Sequence, residues 1–312
     1  MTLTDTPSDT VDRPVSSEVP PAAKRQRGRP SWGLWIGVVW LVTLTFMAVF
    51  ADQLPFIRST SRVKGAGNFA FGPGAEFWFG SDQLGRDVFA RCIYGAQISL
   101  RIAVFSILTG LLVGGSLGLA AGYFRGWVDR LVSTVIDVLL AFPALIIALL
   151  IVQRTDSLQV SYPDTFGWLS RTWAITFVLA LLAIAPLARI VRAQTMSLRE
   201  REFVLAARSL GASNRRILVR EILPNLVPAM TSVLFIGVAV LLVAEGALAF
   251  LGYSVKSPTP TWGLLVSESR QRIAEAWWAT IMPCVMMFMT VLSFNLIGDR
   301  LARRFDIREA TL

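Results

Sequence analysis

Six stretches of this chain are apolar for about the length needed to cross a bilayer, and that leaves few folds open. Crossing ~30 Å of hydrocarbon takes roughly 20 residues of helix. The stretches cover 32–50, 98–124, 131–152, 173–191, 226–251 and 277–297. Lipid offers backbone groups no partners, so each run predicts a helix. The runs are too long and too continuously apolar for barrel strands. Of the 312 residues 54% are hydrophobic and 16% charged, against roughly a quarter charged in a soluble domain. The predicted class is an all-α membrane protein with six transmembrane helices.

Lys and Arg set the orientation, because cytoplasmic segments retain them. With both termini inside (N-in/C-in), 19 of the 30 basic residues fall on inner segments and 11 on outer ones. The outer segment after the first span fits least well, because it holds Arg58, Arg62, Lys64, Arg86, Arg91 and Arg101. The net charge of +9 therefore belongs to a cytoplasmic membrane face, and nucleic acid is not expected as a partner.

Residues 1–31 are polar, rich in Pro, Ser, Thr and Asp, and end in Lys24, Arg25, Arg27 and Arg29 just before Trp32. Such a segment buries too little apolar surface to order itself. It reads as a disordered basic cytoplasmic tail ahead of a signal-anchor helix. The transmembrane body is placed at 32–306, with a short C-terminal tail at 307–312.

Histidine is absent, which removes Ser-His-Asp catalysis, His-ligated zinc and imidazole acid–base chemistry. Cys92 and Cys284 lie in or beside apolar segments and read as small buried residues. No G-x-x-x-x-G-K-[ST] phosphate loop occurs, so nothing here would hold ATP, and no catalytic site or metal site is expected.

Within the spans, Gly110, Gly114, Gly118 and Gly122 recur every fourth residue and make a smooth face for close helix packing. Pro143, Pro186 and Pro283 favour kinks. Asp137 and Glu245 are intramembrane carboxyls, which cost at least ~2–3 kcal/mol unless they face protein or water. Asp137 suits an interhelical bond. Glu245 is a candidate for the translocation path, with a buried hydrogen bond as the alternative.

The inner connection between the fourth and fifth spans is long and distinctive. Phe203, Ala206, Ala207 and Leu210 share one side of a helix starting at Glu202. Gly211 permits a turn, Ser213 can cap a second short helix carrying Ile217, Leu218 and Ile222, and Pro224 ends it. The product is a helical hairpin, 202–224, standing off the inner face with apolar knobs and arginines. Such a hairpin either docks a soluble partner or rests on anionic lipid. From the residues alone both readings stand.

The spacing Ala206-Ala207, Gly211, Leu223-Pro224 resembles the EAA motif of ATP-binding-cassette (ABC) importer permeases. The family's usual Glu before the two alanines is Leu205 here, with the nearest carboxylate at Glu202. Further segments are similar to the dipeptide/oligopeptide/nickel group, in the second of its two permeases. They are Phe79–Arg91 with Ile93-Tyr94-Gly95, Asp137–Pro143, Ala244-Glu245 with Phe250-Leu251-Gly252, Pro260–Gly263 and Asn295–Asp299.

The resemblance implies a type I ABC importer permease fold in a bacterial inner membrane. It implies a second homologous permease, two ABC ATPase subunits, an extracytoplasmic substrate-binding protein and surrounding lipid as partners. ATP and Mg would then be held by the ATPase subunits, with no cofactor on this chain. The hairpin becomes the ATPase-coupling element, with Glu202, Ala206, Ala207, Gly211, Ala212, Ser213, Ile217, Leu223 and Pro224 as its candidate residues. Asn295 joins Glu245 as a candidate for the path. The cargo implied is a peptide, with nickel or another small solute as the alternative. An ion-gradient-driven transporter is the competing class; it would need internal repeats and broken helices around midplane ion sites, and no duplicated half is visible. An intramembrane protease lacks a nucleophile–base pair.

Overall fold

The apolar runs become helices. A computed structural model describes residues 32–57, 70–162 and 170–309, with side chains described to 304. The tail at 1–31, residues 310–312, and Arg58, Arg62 and Lys64 lie outside the described residues. In chain order the helices are α1 (Trp32–Val49), α2 (Val88–Phe124), α3 (Gly126–Ala141), α4 (Ala144–Ser161) and α5 (Arg171–Arg199). They continue as α6 (Glu202–Ser209), α7 (Asn214–Arg216), α8 (Leu223–Phe250), α9 (Trp262–Ser269) and α10 (Trp277–Glu309). Among the described residues the only strand-like pairing is an isolated bridge between Ser81 and Asp87. Six helical segments are long and apolar enough to span a membrane.

Several boundaries differ from expectation. The second span begins at Val88, ten residues early, because Asp87 caps it by accepting from the amides of Phe89 (2.8 Å) and Ala90 (3.2 Å). Arg91 and Arg101 therefore lie in α2 and not in an outer loop. The third span is broken into α3 and α4. Phe142, forced out of the helical region by the proline that follows, sits at φ −91° and ψ 139°, and Pro143 starts the new helix. At the C-terminus α10 runs through the expected boundary at 306 to Glu309. Pro186 and Pro283, by contrast, stay inside continuous helices.

The glycine stripe sets the core of the bundle, pressed against α5. A β-carbon on Gly122 would meet the Arg192 carbonyl oxygen at 2.7 Å and Thr195 Cβ at 2.8 Å; at Gly114 and Gly118 the carbonyls of Ile184 and Ala188 lie closer still. With no hydrophobic driving force between helices in lipid, such backbone proximity supplies the dispersion energy of association. On the other side α1 leans on α10 through Trp40, whose indole donates to Thr290 Oγ1 at 3.0 Å. Asp137 forms the expected interhelical bond, accepting from Arg189 of α5 at 2.7 Å. Asp129 of α3 is held the same way by Arg192, whose guanidinium donates to both carboxyl oxygens.

Candidate functional site

The hairpin between α5 and α8 is built as two arms on a buried base. The first arm, α6, closes when Gly211 takes φ +75°, a conformation that L side chains resist. The amide of Ala212 then reaches the Ala207 carbonyl at 3.0 Å, and that of Gly211 the Arg208 carbonyl at 3.0 Å. Ser213 occupies the N-cap position of α7, at φ −65° and ψ 152°, but its hydroxyl makes no capping bond. The second arm does not end at Pro224. It widens into a π-helical turn, Ile217–Ile222, and continues directly into α8 with Pro224 in the first turn. The proline lacks an amide hydrogen and its ring would strike the carbonyl four residues back. The wider turn, with Leu223 bonded to the Leu218 carbonyl, accommodates it.

Burial divides the candidate residues. Val204, Ile217 and Ile222 are fully buried with Tyr123, Val191, Leu198, Leu226 and Met230. Ile217 is therefore not an outward knob, as the pattern suggested, but part of the base that holds the hairpin up. Outward apolar surface comes from Phe203, Leu205 and above all Leu210, which is 88% exposed at the tip. Glu202, Ala206, Gly211, Ser213, Leu223 and Pro224 are exposed, while Ala207 and Ala212 are half-buried. Arg208, Arg215, Arg216 and Arg220 are exposed around them. The surface is an apolar tip in a cationic rim, the complement of an apolar socket with an acidic edge.

The inner end of α2 reaches the base of both arms. Tyr123, 3% exposed, donates from its hydroxyl to Asn214 Oδ1 at 2.8 Å. The Arg199 guanidinium lies 5.8 Å over the Tyr123 ring. Arg125 pairs with Glu200, just before the first arm. Nothing in the sequence marked these residues, because no periodicity links position 123 to 214. The one available signal was Gly126, which invites a tight turn between two helices.

At the outer end the chain is stitched by buried polar groups. Glu245 is fully buried, and its carboxyl accepts from Ser254 Oγ (2.5 Å), Thr261 Oγ1 (2.9 Å) and Ser99 Oγ (3.4 Å). Trp262 adds bonds to Ser99 Oγ and to the Cys92 carbonyl. This geometry describes a buried hydrogen-bond node tying α9 to α2 and α8. Asn295 donates to the Val291 carbonyl in its own helix at 2.9 Å. Arg91, 2% exposed, bonds Asp82 at 2.8 Å and Glu268 of α9 at 2.9 Å, and Arg86 joins the same two carboxylates. Two arginines that blurred the inside-positive pattern are thus neutralised locally.

Glu245→Ala leaves three hydroxyls without their acceptor. It is expected to destabilise the solubilised protein by about 2–4 kcal/mol, whereas Glu245→Gln costs less. Thermal unfolding in detergent measures both, and equal melting points for Ala and wild type would contradict the node.

An apolar groove of about 450 Å³ runs between α5 and α8, lined by Leu182, Pro186, Ile190, Val233, Gly237 and Val240 among others. Neither Glu245 nor Asn295 lines it.

Residues 114–308 match the family of binding-protein-dependent transport system inner membrane components. The chain belongs to that family. This transport component is 36% identical over 273 residues to the dipeptide transport system permease protein DppC of Alkalihalophilus pseudofirmus, covering 87% of this chain and 85% of the relative. It is 35% identical over 235 residues to the glutathione transport system permease protein GsiD of Pectobacterium atrosepticum, covering 75% and 74%. Among solved structures, it superposes on a chain of the inward-facing MetNI methionine ABC transporter with a TM-score of 0.57 at 19% identity, covering 69% of this chain and 96% of that one. The transport component therefore has the type I ABC importer permease fold and is a multi-pass bacterial inner-membrane protein. It is a permease subunit and not an enzyme; ATP is hydrolysed on separate subunits of such systems. Membership implies ATPase subunits, a partner permease and a binding protein in general terms.

Proposed function

We propose that this chain is one of two permease subunits forming a pore for short peptides. One of two ATPase subunits engages its hairpin 202–224, and an extracytoplasmic binding protein delivers the cargo. The carrying observation is Leu210, an apolar side chain 88% exposed at the tip of an arm whose base is fully buried. This chain does not cover it, and an apolar tip ringed by arginines suits a protein socket. The groove between α5 and α8 supports a half-pore reading. It has no charged lining, so it would pass cargo without gripping it, and selection would fall to the binding protein.

Relatives handling a dipeptide and glutathione, a tripeptide thiol, support peptides of two or three residues as the cargo. The test is uptake of a labelled dipeptide into proteoliposomes holding the complete transporter and its binding protein. Unlabelled di- and tripeptides are expected to compete. Competition by chelated nickel, with none by peptides, would replace the substrate class.

A further inference from the structure

The hairpin is covalently joined to α5 at one end and to α8 at the other, so any displacement of it pulls those two helices directly. Helices α2 and α3 have no such connection. They must follow through packing: the glycine stripe and the Asp129–Arg192 pair hold them to α5, while their contacts with the hairpin itself converge on the turn that ends α2. Tyr123 bonds Asn214 at the start of the second arm and lies buried with Val204 of the first and Ile217 of the second. Arg125 pairs with Glu200 at the root of the first arm. Two different side chains thus tie one turn to both arms.

The backbone of that turn is unusual. Arg125 has φ 54° and ψ −161°, a region almost confined to glycine, and Gly126 follows at φ 63°. Among the described residues Arg125 is the only non-glycine with positive φ. Strain of this kind persists only where the surroundings over-determine it, and it concentrates at switch regions. Here the turn also sets the direction in which α3 leaves α2.

We propose that Tyr123 and Arg125 are positioning residues for energy coupling, carrying displacement of the hairpin into α2 and α3. This rests on the reading of the hairpin as the ATPase-docking element. The glycine stripe makes α2 follow α5 as a packed pair, and the Arg125–Glu200 pair adds the α2–α3 turn to the moving body. The pair contributes little to folding, because the two side chains are 42% and 67% exposed and water screens the attraction. Its effect should therefore appear in coupling and not in stability.

The test uses the complete transporter in proteoliposomes, measuring peptide taken up and ATP hydrolysed in the same sample. Arg125→Glu and Glu200→Arg are each expected to raise the ATP spent per peptide by about fivefold or more, at unchanged melting temperature. The double reversal, which restores an opposite-charge pair, is expected to return the ratio to within about twofold of wild type. Tyr123→Phe, which removes only the hydroxyl, is expected to move the ratio in the same direction. The proposal is overturned if the single reversals leave the ratio unchanged, or if the double variant is no better than either single. It is also overturned if Arg125→Glu loses the ATPase subunits on purification, since the residue would then belong to the docking surface. Failure of the docking reading itself would appear separately, as retention of the ATPase subunits by tip variants of the hairpin.

Discussion

Leu210→Glu is expected to strip the ATPase subunits from the transporter during purification in mild detergent. The side chain is 88% exposed at the hairpin tip, so the substitution does nothing to the fold of this chain. Its whole effect falls on the partner. Central apolar anchors in protein interfaces are worth about 2 kcal/mol or more, roughly thirtyfold in affinity, and burying a carboxylate in their place adds to the loss. Gly211→Arg should act in the same direction through bulk and through the backbone. Gly211→Ala separates the two effects. A β-carbon there meets nothing within 4 Å, so the variant suffers only the cost of φ +75°, about 1–2 kcal/mol, and should retain part of the ATPase. Equal ATPase recovery with wild type and Leu210→Glu would remove the hairpin from the interface.

Gly118→Leu is expected to abolish the folded bundle. Its β-carbon would lie 2.9 Å from the Arg192 amide nitrogen and 3.0 Å from Val191 Cβ, with the Ala188 carbonyl oxygen nearer still. These are mostly backbone atoms of a facing helix and cannot rotate away, so α2 and α5 must separate. Overpacking typically costs about 1–3 kcal/mol, and here the clash falls at the centre of the tightest helix pair. Size-exclusion profiles in detergent should show a lost or aggregated peak. Gly115→Leu is the control on the same helix. Its β-carbon would meet side chains only at 3.6 Å and beyond, so a normal profile is expected. Similar behaviour of the two variants would mean that α2 and α5 are not packed through the stripe.

Much of this was legible in the sequence because membranes constrain patterns strongly. Long apolar runs can only be helices in lipid, and glycines every fourth residue can only make one smooth face. The hairpin was legible too, since Gly211 stands where helical periodicity stops. What escaped is information carried by pairs far apart in the chain. Glu245 reads as an expensive charge in a span, and only the fold brings Ser99, Ser254 and Thr261 to it. Arg91 reads as a loop cation until Asp87 is seen to cap a helix that begins before it. Ile217 reads as a knob because amphipathic spacing shows that a face is apolar, not which way it turns; packing against Tyr123 and Val204 turned it inward. Pro224 reads as a stop because a π turn has no sequence signature.

The most direct measurement of the central claim keeps this chain unchanged and alters its partner. Peptide uptake is followed in proteoliposomes containing the full transporter, with ATPase subunits that bind ATP but cannot hydrolyse it, under an imposed ion gradient. If the hairpin couples transport to hydrolysis on another chain, uptake falls to the level of empty liposomes and the gradient does not restore it. Uptake that continues and follows the gradient would contradict the claim and place the chain among ion-driven transporters.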